Sequence, residues 1–367
     1  MSLTGTPFFV TAIALAVVAV LLPLALWSRV RGPALVRGAV RLLMLGFAQA
    51  TALLLVFVMV NNSNALYDSW GDLLGTTDHV DTAPDLGRDG MGGVRLTELP
   101  KARQKFQPAD DPILGPGVQV TRFAGRVSGV SAEVYVWLPP QYDDPAYRDK
   151  KFPVVEVFPG YPGSPKAWFG TLKAQQQLRP MMESGEIAPF IIVAPRTTLI
   201  DADHGCANIP GRINADTWLS VDVRKMVIDT FRASGRADGW AVAGYSAGGH
   251  CAAKLALAHP DRYRAGVSLS GYNDPAAEKA SLAGQDPELR RANNPLEILK
   301  SAPEPPRTAL YLSGANGDGL QSGLALRGYA QAPTTVKVVE VAGAHDTGVW
   351  KRQVPDVFRW LTRYVKP

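Results

Sequence analysis

Apolar residues dominate the start of the chain and are spread through the rest of it. Two apolar runs, Phe8–Trp27 and Leu42–Val60, lie within the first sixty residues and contain no charged residue. A helix needs roughly 20 apolar residues to cross a hydrocarbon core of about 30 Å. Neither run has the polar face of a helix at the surface of a soluble core. The pattern therefore predicts two transmembrane helices within residues 1–60.

Four arginines, Arg29, Arg31, Arg37 and Arg41, lie between these runs without an acidic residue. Loops rich in Lys and Arg remain on the cytoplasmic side of a membrane. We therefore expect a multi-pass protein of the cell membrane, with its N-terminus and everything after Asn61 outside the cytoplasm. A cleaved signal peptide is the alternative for the first run, but the residues before it lack Lys and Arg and no small-residue cleavage site follows.

Beyond the apolar runs the pattern changes twice. Residues 61–117 have weak apolar patterning and many turn-forming residues, which indicates an extracytoplasmic linker. From residue 118 to 367, short apolar runs alternate with helical patterns, as in a mostly parallel sheet with helices on both faces. The expected strands are Val118–Phe123, Ala132–Leu138, Val154–Phe158, Phe190–Ala194, Trp240–Ala243, Ala265–Leu269, Ala309–Leu312 and Val336–Val341. The expected helices include Trp218–Phe231, Ala247–Ala258 and Val354–Tyr364, and the segment Gly271–Arg307 is expected to form a cap over a site.

Composition excludes some classes of protein. The net charge of +5 is small and its Lys and Arg are scattered, so we expect no binding of nucleic acid. The two cysteines, Cys206 and Cys251, are too few for a disulfide framework and form no zinc-binding pair motif. Outside the cytoplasm they can form one disulfide. A metal site of Cys206 with His204 and His250 is the weaker alternative, and we expect no metal and no cofactor.

The clearest chemical motif is Gly-x-Ser-x-Gly at Gly244, Ser246 and Gly248. It follows an expected strand and precedes an expected helix, as in the nucleophile elbow of serine hydrolases. Small neighbours allow the strained turn that exposes the serine hydroxyl, and the helix start places the N–H of Ala247 where a negative oxygen is stabilised. We therefore expect Ser246 to be a catalytic nucleophile.

A serine needs a base, and two histidines follow Ser246 at a distance. His345 lies in a loop between the last expected strand and the final helix, where this fold holds its base. His259 ends the helix after the elbow, about three turns from the nucleophile. A histidine at a helix end has an ordinary structural explanation, so His345 is the expected base.

The acid is expected in the loop after the strand Ala309–Leu312, because the order along the chain is serine, acid, histidine. Asp318 is the carboxylate of that loop and would orient the imidazolium. Asp274 follows the preceding strand and is one alternative. Asp346 is the other, but it adjoins the expected base too closely for the usual geometry.

The second backbone donor for an oxyanion is expected in the loop that follows Val154–Phe158. Pro162 in that loop has no N–H, which leaves Gly160 or Tyr161 as the donor. We expect Tyr161, together with Ala247, to form the oxyanion hole.

From about Val118 to the C-terminus, the chain resembles the esterase-D-like branch of the α/β hydrolases, which includes S-formylglutathione hydrolases, feruloyl esterases and the secreted mycolyltransferases of actinobacteria. The resemblance rests on Leu138-Pro139-Pro140-Gln141-Tyr142, Pro159-Gly160-Tyr161, Gly244-Tyr245-Ser246-Ala247-Gly248-Gly249, Ala258-His259-Pro260-Asp261-Arg262-Tyr263, and Gly343-Ala344-His345-Asp346 with Trp350. It implies Ser246, Asp318 and His345 as the triad, with Ala247 and Tyr161 as oxyanion donors. The two apolar runs depart from the soluble members and resemble membrane-tethered actinobacterial relatives.

Together these features predict a membrane-anchored, extracytoplasmic serine esterase. Its expected partners are the membrane and an ester or acyl-lipid substrate, because location near a bilayer favours esters of lipids or envelope components. One alternative is an acyltransferase that moves the acyl group to a sugar or lipid alcohol. The alternative from another class is a catalytically silent hydrolase fold that serves as a membrane-anchored binding module.

Overall fold

The computed structural model describes residues 1–87 and 90–367 and divides them into two compact units, Met1–Thr76 and Thr77–Pro367. The expected linker over residues 61–117 is therefore shared between the units. Its first part lies in the first unit and its larger part in the second, while Arg88 and Asp89 lie outside the described residues.

The first unit consists of the helices α1 (Thr6–Leu26), α2 (Ala34–Asn64) and the short α3 (Trp70–Leu74). Both α1 and α2 are long and apolar enough to cross a membrane. Many of their large apolar side chains are exposed, as expected for helices whose apolar surface has no protein partner.

Helix α2 begins earlier than the apolar pattern predicts, so Arg37 and Arg41 lie in its first turns and not in the loop. Both guanidinium groups donate to backbone carbonyl groups in the turn that connects α1 to α2. Arg37 Nη1 lies 2.7 Å from the carbonyl of Gly32, and Arg41 Nη2 lies 3.0 Å from that of Trp27. The basic residues therefore remain together at one end of the helical pair.

The second unit is built on a mixed sheet, which has nine strands among the residues that the structure describes, in the order β1-β2-β3-β5-β4-β8-β9-β10-β11. Its members are β1 (Gln107–Pro108), β2 (Val118–Ala124), β3 (Ser131–Trp137), β4 (Val154–Phe158), β5 (Ile191–Pro195), β8 (Trp240–Tyr245), β9 (Ala265–Leu269), β10 (Ala309–Gly314) and β11 (Thr335–Glu340). A separate hairpin pairs β6 (Asn208–Ile209) with β7 (Ile213–Asn214).

The strands from β5 to β11 in that order are parallel, whereas β1, β2 and β3 are joined by antiparallel pairing. Every strand expected from the apolar pattern occurs, with ends shifted by at most two residues. The predicted α/β fold with a mostly parallel sheet is therefore confirmed. The two-residue strands β1, β6 and β7 were not expected, because a pair of residues carries no alternation to detect.

Helices cover the sheet on both faces, and one element departs from a regular helix. The helices of the second unit are α4 (Ala167–Gly170), α5 (Ala174–Glu183), α6 (Ala215–Thr217), α7 (Arg224–Thr230), α8 (Ala247–Ala258), α9 (Leu282–Gln285), α10 (Pro287–Ala292), α11 (Pro295–Ser301), α12 (Leu320–Tyr329) and α13 (Thr347–Tyr364). A π-helical segment, Trp218–Val223, joins α6 to α7.

Helix α13 starts seven residues before its expected beginning at Val354. The carboxylate of Asp346 accepts the N–H of Val349 at 3.0 Å and caps the helix. The apolar side chains of Val349 and Trp350 are buried. Pro355 lies inside the helix. Because proline usually breaks a helix, the sequence pattern does not predict the turns that precede it.

The insertion Gly271–Arg307 contains α9, α10 and α11. Helix α11 packs against α8 and α12, on the flank of the sheet. The side chain of His345 remains 46% exposed. Helix α11 therefore covers the side of α8, and the expectation that the insertion forms a cap over a site stays a prediction.

A single carboxyl group lies in the centre of the sheet. Glu156, in β4, is fully buried, and the hydroxyl of Tyr263 donates to its Oε2 at 3.0 Å. Burial raises the pKa of Glu156 to about 8, although the bond from Tyr263 and the charge of Arg224 act in the opposite direction. The carboxyl is therefore protonated in the fold at neutral pH but ionised in the unfolded chain.

We predict that Glu156→Gln reduces the loss of stability that accompanies a rise in pH from about 4.5 to about 8. In the wild type, stability is fully present below the unfolded pKa and falls as the pH approaches the raised folded pKa, by on the order of a few kcal/mol. The glutamine cannot ionise in either state. Thermal unfolding midpoints of the full chain in neutral detergent, measured at pH 5 and pH 8, should shift in favour of the variant at pH 8. An equal difference between variant and wild type at both pH values would contradict this account.

Candidate active site

Ser246 lies in a strained turn between β8 and α8, with φ 56° and ψ −126°. A non-glycine residue rarely adopts a positive φ unless its surroundings impose it. A Cβ atom at Gly244 would lie 2.1 Å from the carbonyl oxygen of Gly248, and one at Gly248 would lie 2.2 Å from that of Pro159. Both positions therefore require glycine, because strand, turn and helix meet backbone to backbone.

Three side chains meet at the end of this turn. The Oγ of Ser246 lies 2.9 Å from Nε2 of His345, and Nδ1 of the same ring lies 2.7 Å from Oδ1 of Asp318. A carboxylate can only accept a hydrogen bond, so Nδ1 carries the proton and Nε2 is left to accept one from the serine hydroxyl. The arrangement couples the hydroxyl to a base and the base to an anion.

The parallel strands explain why these distant residues converge. Ser246 follows β8, Asp318 follows β10 and His345 follows β11, and the carboxyl ends of parallel strands lie at one edge of a sheet. The N–H of Asp318 donates to the carbonyl of Ala315 at 2.9 Å, which closes its loop into a turn. The N–H of Val341 donates to the carbonyl of Gly314 at 3.1 Å and joins the ends of β10 and β11.

The imidazole of His345 also lies against a fixed aromatic surface. The ring of Trp350, in the first turn of α13, meets it edge to face with centroids 4.9 Å apart. Trp350 stacks on Tyr245 at 4.4 Å, and its indole N–H donates to Oγ of Ser270 at 3.0 Å. In the sequence, Trp350 stands out only as part of the family resemblance. Its contact with His345 cannot be predicted from the sequence, because it depends on how α13 returns to the edge of the sheet.

The loop after β4 approaches the nucleophile closely. A Cβ atom at Gly160 would lie 3.2 Å from Cβ of Ser246. Tyr161 and Ala247, the two expected oxyanion donors, both line a cavity of about 20 Å³ beside this contact. Ala247 is the first residue of α8, where a backbone N–H has no acceptor within the helix.

The alternative acids and base have other partners. His259 Nε2 lies 2.7 Å from Oδ1 of Asp216, in a buried cluster behind α8. Arg290 donates to Asp274 at 2.7 Å, which fixes the start of the insertion. Asp346 caps α13 as described above. Each of these contacts has a structural explanation, and none of them joins the group around Ser246.

Cys206 and Cys251 form a disulfide that ties the loop after β5 to α8, five residues beyond Ser246. Lys254 strengthens the same connection by donating to the carbonyl of Cys206 at 2.9 Å. His204 and His250 bond to backbone carbonyls. Among the described residues no group of three or more His, Cys, Asp or Glu side chains could hold a metal ion, so these histidines do not form the alternative metal site.

The match to a known family identifies the class of protein to which this chain belongs. The model of the Esterase family matches residues 127–361, which is well over half of the chain. The chain therefore belongs to the Esterase family. It is an enzyme, a carboxylic ester hydrolase, as the sequence analysis predicts.

Solved structures of Esterase-like proteins share the fold. They include a ferulic acid esterase (TM-score 0.57, 19% identity, covering 67% of this chain and 98% of that one). An S-formylglutathione hydrolase of Agrobacterium tumefaciens matches with TM-score 0.55 and 15% identity, over 72% and 100%. A fluorophosphonate-binding serine hydrolase of Staphylococcus aureus matches with TM-score 0.54 and 20% identity, over 68% and 99%. These matches confirm the α/β-hydrolase fold, and the Esterase family match supports the esterase-D-like resemblance.

A relative in Corynebacterium glutamicum, an uncharacterized protein, is 27% identical over 338 residues. The match covers 85% of this chain and 75% of the relative. The matched 85% of this chain contains more residues than the second unit, Thr77–Pro367. The similarity therefore extends into the first unit.

We predict that loss of the disulfide destabilises the second unit by about 4 kcal/mol, because it closes a loop of 45 residues. The double variant Cys206→Ser/Cys251→Ser should unfold at a lower temperature than the wild type, and a reductant should lower the midpoint of the wild type alone. Thermal unfolding of the full chain in detergent, with the free thiols counted, provides the measurement. A fully reduced wild type with an unchanged midpoint would refute this assignment.

Proposed function

We propose that the protein is a membrane-anchored, extracytoplasmic serine esterase in which Ser246, His345 and Asp318 form the catalytic triad. The observation that carries this proposal is the continuous hydrogen-bonded chain from Ser246 Oγ through the imidazole to Asp318, with distances of 2.9 and 2.7 Å. The strained backbone of Ser246 supports the same role, because such strain is retained where a site requires it.

The proposed reaction follows from these positions. The Oγ of Ser246 attacks the ester carbonyl while Nε2 of His345 takes its proton, and Asp318 stabilises the imidazolium that forms. The N–H groups of Ala247 and Tyr161 hold the negative oxygen of the tetrahedral intermediate. When the intermediate collapses, the alcohol leaves with the proton from His345 and the acyl group remains on the serine. Water then attacks the acyl-enzyme, again with His345 as base, and releases the acid.

Exposure of the base favours hydrolysis over acyl transfer. The side chain of His345 is 46% exposed, and the insertion that contains α11 packs on the flank of α8. Water therefore has direct access to the group that would activate it. A site that excludes water favours transfer to another alcohol, and the exposed imidazole does not provide that exclusion.

Three observations support the proposed location. The helices α1 and α2 are long and apolar enough to span a bilayer, and the four arginines lie between the helices or in the first turns of α2. The similarity to the corynebacterial relative extends into this unit. The disulfide between Cys206 and Cys251 is typical of compartments outside the cytoplasm. A nucleophile beside an exposed base, tethered to a membrane, favours a lipid or envelope ester as substrate.

We predict that Asp318→Asn lowers kcat for a short 4-nitrophenyl ester by roughly four orders of magnitude, because the neutral amide cannot stabilise the imidazolium. Ser246→Ala should lower it by roughly a millionfold. Asp274→Asn is the matched control, since it removes the alternative acid and should leave kcat within a few-fold of the wild type. Steady-state kinetics of the full chain in detergent test this. The triad would be refuted if Asp274→Asn abolished activity and Asp318→Asn did not.

We also predict the topology of the two helices. Alkaline phosphatase needs its disulfides and is active only outside the cytoplasm. A fusion after Pro367 should therefore be active in a bacterial host, whereas a fusion after Gly32, in the turn between the helices, should be inactive. Equal expression of both fusions is checked by immunoblot. The reverse pattern of activity would place the hydrolase in the cytoplasm and overturn the proposed location.

A further inference from the structure

A cleft of about 390 Å³ lies beside the edge of the sheet, away from the triad. It is formed by the extended segment 99–104, the end of β2 with the turn after it, and the helical segment that leads into α7. The charged residues of its lining are Lys101, Arg103, Arg122, Arg126, Lys225 and Asp222. We call this feature the basic cleft.

The cations of the basic cleft are only partly neutralised. Arg122 pairs with Glu133 at 2.9 Å, and Lys225 pairs with Asp229. Lys101, Arg103 and Arg126 are exposed and form no ion pair with any carboxylate in the described part of the chain. The cleft therefore keeps an excess of positive charge at neutral pH.

The one acidic residue of the lining, Asp222, is held by backbone N–H groups. Asp222 is buried, and its two oxygens accept the N–H groups of Val127 at 3.2 Å and Ser128 at 2.8 Å. Burial raises the pKa of Asp222, and these hydrogen bonds act in the opposite direction. The carboxyl is used to shape the turn that carries Arg126.

The wall of the basic cleft is firmly attached. The N–H of Ala102 donates to Oδ2 of Asp229 at 2.8 Å, and the N–H of Gln104 donates to Oγ1 of Thr230 at 3.1 Å. Arg103 Nε donates to the carbonyl of Asp229 at 3.0 Å. These three hydrogen bonds hold the segment 99–104, which carries Lys101 and Arg103, along α7.

The basic cleft lies on the same edge of the sheet as the nucleophile. Strand β2 is antiparallel to β3, which is antiparallel to β5, so β2 runs in the same direction as β8. The ends of β2 and β8 are four strands apart, or about 19 Å at the usual spacing between strands.

The chain also enters the second unit beside the basic cleft. Val80 forms a bridge with Val130, and the N–H of Asp81 donates to the carbonyl of Gly129 at 2.8 Å. These contacts lie on the turn that carries Arg126, sixteen residues after α2 ends at Asn64.

We propose that the basic cleft binds a phosphoryl group, presented either by an anionic phospholipid headgroup or by a soluble phosphate ester. Guanidinium groups match the oxygens of a phosphate with paired hydrogen bonds, and lysines add charge without a fixed geometry. A headgroup bound there would hold the sheet edge with Ser246 towards the lipid. The headgroup source depends on the proposed membrane anchoring, whereas the phosphoryl site itself does not.

The test uses the full chain with Ser246→Ala, so that the hydrolysis reaction plays no part in it. Inorganic phosphate is titrated calorimetrically into protein in neutral detergent at low ionic strength. In a second arm, hydrogen exchange of residues 99–104 and 122–128 is compared in nanodiscs of phosphatidylcholine with and without phosphatidylglycerol. The variant Lys101→Gln/Arg126→Gln removes two unpaired cations, and Arg327→Gln/Arg363→Gln is the control that removes the same charge elsewhere.

We expect Lys101→Gln/Arg126→Gln to bind phosphate roughly fivefold more weakly and the control pair to bind it as the parent does. Phosphatidylglycerol should slow exchange in both segments of the parent but not of the cleft variant, which identifies the headgroup as the source. Phosphate binding without this protection supports a soluble ester as the source. Equal phosphate binding by the cleft and control variants overturns the proposal. It is also overturned if the parent neither binds phosphate nor shows slower exchange with phosphatidylglycerol. A wild-type chain without esterase activity, whose Ser246→Ala variant still binds phosphate as expected, would overturn only the proposed reaction.

Discussion

The close backbone contact at the turn of Ser246 is the constraint on which the site depends. Gly244, Gly248 and the carbonyl of Pro159 approach so closely that no side chain fits between strand, turn and helix. This contact forces the positive φ of Ser246 and directs its hydroxyl out of the sheet edge. The loops after β10 and β11 need only reach the same edge to bring an acid and a base to it.

The surroundings of the site hold these loops by separate means. Trp350 stacks on Tyr245 and meets His345 edge to face, which links His345 to the residue before Ser246. On the other side, the disulfide and Lys254 hold the loop after β5 to α8. The protein therefore positions the site from both neighbouring elements while the imidazole itself stays open to solvent.

Sequence reasoning was most successful where a local pattern has one physical solution. Strands such as Val154–Phe158 and the helix Ala247–Ala258 were predicted with their observed ends, because apolar runs and a glycine-rich turn limit both. It failed where tertiary contacts decide. The start of α13 depends on a cap and a buried Trp350, and the basic cleft unites segments about 120 residues apart. Neither of these arrangements leaves a periodic signal.

The central claim is that Ser246 is a nucleophile activated by its neighbours, and covalent labelling tests it most directly. The full chain in neutral detergent is treated with a fluorophosphonate, and the modified peptide is identified by mass spectrometry. The account predicts one adduct per chain, on Ser246, that is absent from Ser246→Ala and forms much more slowly in His345→Gln. An unlabelled wild type, or equal labelling of Ser246→Ala, would contradict it.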